Sequence, residues 1–432
     1  MSGRERIIPR IVRLIKFLLF LCIGFIFAAL LSASTVSTGT IEAQIRNISG
    51  HNEFDYASWT VDALLGKFSA WALSLEKFMP LEAQSQVVLD YLQQVQEISA
   101  INNEIFAIYS DPTVQDPDLA TALTRERLQS QIDSRDNLTP LVEAILQNQL
   151  MDVLQDSDID IADQVLPPSL YHFSETPLSL VISPRTTINQ VLDVPLLPDL
   201  NTTEIDGIEQ QVYRELDYSA LIVPIGGIGL YPTMVMQTSN IVWLTEVISH
   251  EWIHNFLTLR PLGINYFTNE EMRTINETTA SLAGKELGRL ILEKYYPQFL
   301  PQEPKNGLND SDNTEIEIPS EPEAFDFRVE MRETRVETDR LLSEGKVEQA
   351  EDYMESRRQF FWENGYAIRK LNQAYFAFYG AYNDEPGGGA AGEDPVGPAV
   401  VALRDQYTHL SDFLNDISWV TSFENLQALL AR

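Results

Sequence analysis

The segment His250-Glu251-Trp252-Ile253-His254 constrains the fold of this 432-residue chain more than any other feature. Residues four apart lie on one face of an α-helix, so the two imidazoles can point at the same metal ion. Glu251 lies beside the first histidine, where its carboxylate can reach a water molecule on that metal. The flanking residues from 244 to 257 are apolar almost all round, which predicts a buried helix. An unpaired cluster of histidine and glutamate is costly there, so we predict a metal site; a hydrogen-bonded set without metal is the alternative.

A third metal ligand is needed, and the sequence narrows its identity. The metzincin extension of the motif fails, because Leu257 and Arg260 stand where a glycine and a histidine belong. A carboxylate from the next helical pattern is the natural substitute, and four glutamates are available: Glu270, Glu271, Glu277 and Glu286. We predict Glu277, because the small residues at 278–284 allow its helix to approach the histidine helix closely. Three protein ligands leave a fourth position open, which is typical of a catalytic zinc site with one ion per chain.

The run HEWIH followed by INETTASLAG resembles the gluzincin metallopeptidases, in which the glutamate of an N-E-x-x-A/S helix is the third ligand. It is also similar to bacterial predicted aminopeptidases, which carry a later helix with an N-N-A element and a tyrosine. Here residues 372–374 read Asn-Gln-Ala, and Tyr382 follows. The resemblance covers residues 220–430 and implies a zincin-like core and zinc-dependent aminopeptidase activity, with endopeptidase activity also open. Thermolysin-like enzymes place an aspartate where this chain has Ser281, so another group must orient the imidazoles.

An oxyanion stabiliser is also required, usually a tyrosine or histidine from outside the two ligand helices. Tyr375, Tyr379 and Tyr382 fall on one face of a helical pattern, which is also typical of a core stripe. The resemblance singles out Tyr382, with Tyr379 as second choice and His409 as the alternative that is not a tyrosine.

The glycine-rich stretch 226–231 precedes the histidine helix within a strand-like run. Glycines allow a backbone to approach closely, and in gluzincins an edge strand in this place pairs with the substrate backbone. A plain turn is the alternative interpretation. The predicted helices from 59 to 161 and from 325 onward are expected to roof the cleft and to restrict the substrate to a peptide or an unfolded protein segment.

The N-terminus has the pattern of an export segment. Basic residues up to Lys16 precede the uncharged run at 17–33. Positive charge stays on the cytoplasmic side, so the remaining chain is expected outside. With residues 11–15 the run is long enough to span a bilayer, although the small residues at 32–34 also fit a signal-peptide cleavage site. We predict a single-pass membrane anchor with the catalytic part outside, or a secreted protein if the segment is cleaved.

The residue composition and the spacing of apolar residues change several times along the chain. The predicted fold class is α+β and helix-rich, with a zincin-like (gluzincin) core, flanking helical domains and an N-terminal transmembrane helix. The predicted parts are an anchor or signal segment (1–33), a polar stalk (34–56), a helical domain (57–165), a small α/β layer with the edge strand (166–240), the zinc-site helices (241–300), an acidic linker (301–323) and a C-terminal helical domain (324–432).

Composition excludes several classes of function. The chain has 63 Asp and Glu against 30 Lys and Arg, a net charge of −33 that repels phosphate backbones and argues against nucleic-acid binding. Contact with a lipid bilayer is therefore expected only through the N-terminal helix. Cys22 is the single cysteine, so disulfides and multi-cysteine metal sites are excluded. The alternative to a membrane-anchored zinc peptidase is a non-catalytic, membrane-tethered binding protein on a degenerate zincin scaffold.

Overall fold

The computed structural model describes residues 40–71, 75–111, 113–160, 164–300, 325–382 and 389–432. The α-helices in these ranges are α1 (Ile41–Ser49), α2 (Tyr56–Trp71), α3 (Leu81–Ser110), α4 (Pro117–Ala120), α5 (Ala122–Asp156), α6 (Thr202–Leu216), α7 (Ile241–Leu257), α8 (Pro261–Ile264), α9 (Glu270–Tyr295), α10 (Phe327–Ser343), α11 (Val347–Glu363), α12 (Gln373–Tyr379), α13 (Val396–Asp405), α14 (Leu410–Ile417) and α15 (Phe423–Leu430). The strands are β1 (Tyr171–Ser174), β2 (Leu178–Pro184), β3 (Leu192–Leu196), β4 (Tyr218–Pro224), β5 (Gly227–Ile228) and β6 (Thr233–Met236). The prediction of a helix-rich α+β fold is confirmed.

The described strands form two small sheets. One has the order β3-β2-β4 and is antiparallel throughout, and Leu180 of β2 lies opposite Val194 of β3 and Ile222 of β4. The other has the order β1-β6-β5, with β1 parallel and β5 antiparallel to β6. This second sheet precedes α7 in the chain and presents β5 as an edge strand.

The largest apolar core is shared by segments that lie far apart in the sequence. Buried side chains of α3 and α5 pack in one cluster with those of α7, α9 and α13 to α15. The N-terminal helices, the histidine helix and the C-terminal helices therefore stabilise one another. The predicted helical part at 57–165 and helices α13 to α15 of the part at 324–432 share their core with the helices at 241–300. Helices α10 and α11 add a smaller cluster around Met354 and Phe361.

The polar stalk predicted at 34–56 is wrong for the part of it that the structure describes. Helix α1 begins at residue 41 with Thr40 as its N-cap and packs on the β3-β2-β4 sheet. Ile45 is fully buried there, and Ile41 and Ile48 pack beside it. These three isoleucines lie on one face of the helix at spacings of four and three residues. The apolar stripe is short and its neighbours are polar, so the sequence did not indicate a helix there.

Two predicted segments lie entirely outside the described residues: the anchor or signal segment at 1–33 and the acidic linker at 301–323. The same holds for residues 34–39 of the predicted stalk. Across the residues that are described, no helix combines the length and the apolar character needed to cross a bilayer.

Helices α7 and α9 cross at unusually close range, and two glycines of α9 make this possible. A Cβ atom built on Gly284 would lie 2.9 Å from Cβ of His250, and one on Gly288 would lie 2.9 Å from the backbone nitrogen of Glu246. Gly284 contacts His250, whereas Gly288, later in α9, contacts Glu246, earlier in α7, so the two helices are antiparallel. Their ligand-bearing ends are therefore brought together by packing along their whole length.

We expect Gly288→Ala to destabilise the protein although alanine is the better helix former. The new methyl group meets backbone that cannot rotate away, and such overpacking costs about 1–3 kcal/mol. Gly207 of α6 is the matched control, because a Cβ atom there has no heavy atom within 4 Å. Gly207→Ala should stabilise by about 0.5–1 kcal/mol through helix propensity. Urea denaturation of both variants measures the difference, and equal shifts in the two would contradict the close packing of α7 on α9.

Candidate metal centre

The two helices that carry the predicted metal ligands have well-defined starts. Asn240 caps α7, and its side-chain oxygen accepts hydrogen bonds from the backbone nitrogens of Val242 and Trp243. Asn269 caps α9 in the same way through the backbone nitrogen of Met272. Asparagine caps satisfy backbone donors that a helix start leaves unpaired, so both helices begin at fixed residues.

His250, His254 and Glu277 converge on one point. Nε2 of His254 lies 3.0 Å from Nε2 of His250, and each nitrogen lies 3.5 Å from Oε2 of Glu277. Ligands bound at about 2.0–2.1 Å in a tetrahedral zinc site are about 3.3 Å apart, so the three atoms are spaced as three corners of such a site. Among the described residues, this group of three could hold a metal ion.

Glu277 presents a buried carboxylate to the two histidines. The residue is 3% exposed, and its Oε2 accepts no hydrogen bond from any described group. Burial by itself raises the pKa of Glu277, but His254 and His250 outweigh it and hold that pKa well below its usual value. Burial likewise lowers the pKa of His254, yet the adjacent Glu277 carboxylate prevails and raises it to about 9. A buried carboxylate that draws positive charge this strongly suits a cation between the three ligand atoms.

Two further side chains fix the orientation of the ligands. Nδ1 of His254 lies 2.9 Å from Oδ1 of Asn276, so this nitrogen donates, and Nε2 is the atom at which a metal can take the place of a proton. The hydroxyl of Tyr266 donates to Oε1 of Glu277, which leaves Oε2 facing the histidines. Burial, together with the Glu277 carboxylate, raises the pKa of Tyr266 well above its ordinary value, so the phenol stays protonated. Asn276 thus orients the imidazole of His254.

Arg273 connects the ligand helix with the C-terminal part of the chain. It lies one turn before Glu277 on α9 and is only 6% exposed. Its guanidinium donates to the carbonyl oxygen of Ala377 at 2.7 Å and lies 5.9 Å from the centre of the Phe378 ring. Helix α12 is thereby held against the site, and Tyr382 follows directly after it.

Glu251 occupies the place that the sequence predicted, beside the ligands and not among them. It is 7% exposed, and burial raises the pKa of its carboxyl group. A Cβ atom on Gly227 of β5 would lie 2.7 Å from Oε1 of Glu251, and one on Gly229 would lie 2.9 Å from Cβ of His254. Only residues without side chains allow the strand to lie this close to the helix, so these glycines serve close approach, as the sequence suggested.

Tyr379 is the last residue of α12 and Tyr382 lies beyond its end, so the two tyrosines have different surroundings. Tyr382 lines the cleft, and its ring centre lies 6.4 Å from that of His250. Tyr379 does not line the cleft; it is 38% exposed and stacks on Tyr375 instead. His409 is the N-cap residue of α14 and is likewise absent from the lining.

The other glutamates considered as third ligand point elsewhere. Glu286 forms an ion pair with Arg404 at 2.8 Å. Glu270 and Glu271 lie in the first turn of α9, about two turns before Glu277, and line a separate cavity beside Arg335.

Sequence reasoning missed the roles of Tyr266 and Arg273. Tyr266 lies in the connection between α8 and α9, where neither helical nor strand spacing marks a residue. Arg273 lies on the same helix as Glu277 at a spacing of four, a signal that was available but is equally common on solvent-exposed helices. Asn276 belongs to the N-E pattern, which by itself does not indicate that its side chain orients a histidine.

Comparisons of the chain with protein-family models, with curated proteins and with solved structures gave no match. The class defined by fold and site is a helix-rich α+β protein with a His-His-Glu group that could hold a metal ion. The comparisons therefore do not indicate which metal binds or which reaction occurs, and both have to be inferred from the side chains at the site.

Removing the partner of His254 should weaken metal binding without removing a ligand. We expect Asn276→Ala to lower metal affinity about 10–100-fold, because the imidazole loses the acceptor that fixes its tautomer and ring orientation. Asn276→Asp keeps an acceptor oxygen at the same place and should retain most of the affinity. Competition with a chromophoric chelator measures both variants; equal affinities for wild type and Asn276→Ala would show that this hydrogen bond does not position the ligand.

Proposed function

We propose that this chain is a zinc-dependent peptidase whose metal is held by His250, His254 and Glu277. The observation that carries the proposal is the convergence of three ligand atoms beside a buried fourth residue, Glu251, at the edge of a short strand. Two imidazoles and one carboxylate are a donor set typical of catalytic zinc, which keeps one position open. When bound, the ion supplies Lewis acidity at the point where the three ligand atoms meet.

The remaining steps are assigned to residues of this chain. Glu251 accepts a proton from the attacking water and returns it to the leaving amine. Tyr382 donates a hydrogen bond to the oxygen that becomes negative as water adds to the peptide carbonyl. Strand β5 holds the substrate backbone alongside the site. The products are a carboxylate and an amine.

We also propose that the apolar run at 17–33 tethers the protein to a membrane with residues from 34 onward outside. The support is the order of charges in the sequence, basic residues followed by the uncharged run. In this proposal residues 34–432, which carry 62 Asp and Glu against 25 Lys and Arg, lie outside, and only the N-terminal segment contacts lipid.

The proposed activity is tested by measuring zinc content and peptide cleavage on the same preparation. The full chain is stripped with a chelator, assayed on a mixture of unstructured peptides, and assayed again after zinc is restored. Cleavage that is lost and regained with about one zinc per chain supports the proposal. Stoichiometric zinc without any cleavage would favour the non-catalytic binding protein.

Tyr382→Phe should lower kcat by about 10²–10³-fold, the usual loss for one oxyanion donor, and leave zinc content unchanged. Tyr379→Phe is the matched control, since that residue lies outside the cleft. Steady-state kinetics on one peptide separate the two variants. Equal activities for both would remove Tyr382 from the proposed mechanism.

A further inference from the structure

Two cavities meet beside the candidate metal centre: His254 and Glu277 line the first alone, and His250 lines both. One, which we name the Tyr266 chamber, has a volume of about 470 Å³ and is lined by Tyr266, Asn276 and Asp193 among others. The second, the Trp243 chamber, has a volume of about 380 Å³ and is lined by Trp243, Val247 and Ser281 among others. The residues that line both are Ile225, Gly227, His250, Glu251, Phe378 and Tyr382. The two chambers therefore meet at the site itself.

The segment 226–229, which contains β5, runs from one chamber to the other. Gly226 lines only the Trp243 chamber, Gly227 lines both, and Ile228 and Gly229 line only the Tyr266 chamber. The strand direction is thus the direction of the cleft. A peptide that lies parallel or antiparallel to β5 must pass the metal ligands and continue on both sides.

The open edge of β5 offers backbone groups for such a peptide. Among the described strands, β5 pairs on one side only, with β6. The carbonyl oxygen of Gly226 accepts a hydrogen bond from the backbone nitrogen of Met236 on that side. Successive residues of a strand direct their N–H and C=O groups to opposite edges, so those of Gly227 face the open edge. A bound peptide strand can hydrogen bond to Gly227 beside Glu251.

We infer that the site acts on the interior of an extended polypeptide, as an endopeptidase. This inference rests on the proposed peptidase function and adds where in the substrate the cut falls. Water adds across an internal amide, so that the C–N bond breaks and a C–O bond forms. Each of the two products is at least two residues long. Each chamber lies in the range of about 300–1,000 Å³ that holds drug-sized ligands, which is more room than one terminal residue requires.

An exopeptidase would instead close one side and bind the terminal charge of its substrate. In the Trp243 chamber the charged residues Glu246 and Lys285 both have partners already. In the Tyr266 chamber, Asp193 accepts a hydrogen bond from Ser179 at 2.7 Å, and Arg273 donates to the backbone of α12. Apart from the metal ligand Glu277 and Glu251, these last two are the Asp, Glu and Arg side chains that line the Tyr266 chamber and could meet a free amine or a free carboxylate, so peptides blocked at either end distinguish both cases.

The Trp243 chamber also suggests a preference for side chains. Its walls include the apolar side chains of Trp243, Val247 and Phe378. Gly226 lies against the indole, because a Cβ atom there would be 2.7 Å from Cζ2 of Trp243. We expect the substrate residue that enters this chamber to be apolar.

The test uses one unstructured decapeptide with apolar residues near its middle, in four forms: free, N-acetylated, C-amidated and blocked at both ends. The zinc-loaded full chain is incubated with each form, and mass spectrometry locates the cut. We expect internal cleavage of the doubly blocked form at a kcat/KM within a few-fold of that for the free peptide. Cleavage only of forms with a free amine, or only of forms with a free carboxylate, overturns the inference and leaves the peptidase function standing. If no form is cleaved, the peptidase function itself fails.

A variant tests whether the Trp243 chamber takes part in binding. Ser281→Phe places a ring in that chamber from α9, and we expect kcat/KM for the doubly blocked peptide to fall about tenfold or more. Arg289→Phe is the control, with the same new side chain at an exposed position of the same helix. Zinc content should stay at the wild-type value in both. An unchanged rate in Ser281→Phe would show that substrates do not enter this chamber, which contradicts the inference.

Discussion

The Glu277→Gln variant should bind zinc more than about 100-fold more weakly than wild type, which exceeds the usual loss for a residue that only orients a ligand. Oε2 of Glu277 is one corner of the ligand triangle and supplies its negative charge. The amide is neutral, so the cation loses both a strong ligand and the charge that offsets its own desolvation. His254→Ala should have a comparable effect, because it removes a second corner. Elemental analysis of the dialysed full chain measures both.

Glu286→Gln and His409→Ala are the matched controls for this experiment. Glu286 lies on the same helix as Glu277 but pairs with Arg404, and His409 lies at the start of α14. Both should retain about one zinc per chain. Loss of zinc in the Glu286 variant, or its retention in Glu277→Gln, would contradict the assignment of the third ligand.

The ligands could be predicted because each depends on a short-range regularity. A spacing of four residues brings His250 and His254 to one face of a helix whatever else the chain does. Glu277 depends on the packing of two helices, but the small residues after it signalled that packing, and Gly284 and Gly288 are where the backbones meet. Local pattern and tertiary contact agree at these positions.

The supporting residues could not be predicted in the same way. Tyr266 reaches Glu277 from an irregular connection, and its place depends on the path of the chain between α8 and α9. The shared core of α3, α5, α7 and α9 could not be predicted from the sequence either. Apolar periodicity shows that a helix has a buried face, but it does not show which elements cover that face. Helix α1 was missed because three isoleucines among polar residues form too short a stripe to stand out.

Glu251→Gln should abolish most of the proposed activity while leaving the metal site intact. Glutamine has the same shape as glutamate, so it fits between α7 and the Gly227 backbone, where a Cβ atom would already lie 2.7 Å from Oε1. It cannot accept a proton from water, and loss of a general base costs about 10²–10⁴-fold in rate. Zinc content should not change, because Glu251 is not among the three converging ligands.

The conservative variant Glu251→Asp separates the proton-accepting role from a merely structural one. It keeps the carboxylate but withdraws it by one methylene from the hydrogen-bonding distance that proton transfer needs, about 2.6–3.2 Å. Its kcat should fall between those of wild type and Glu251→Gln, with KM almost unchanged, because the residue acts on the attacking water more than on the bound peptide. A structural role would instead leave Gln, the closer match in shape, as the more active of the two variants. Full turnover by Glu251→Gln at normal zinc content would exclude Glu251 as the base.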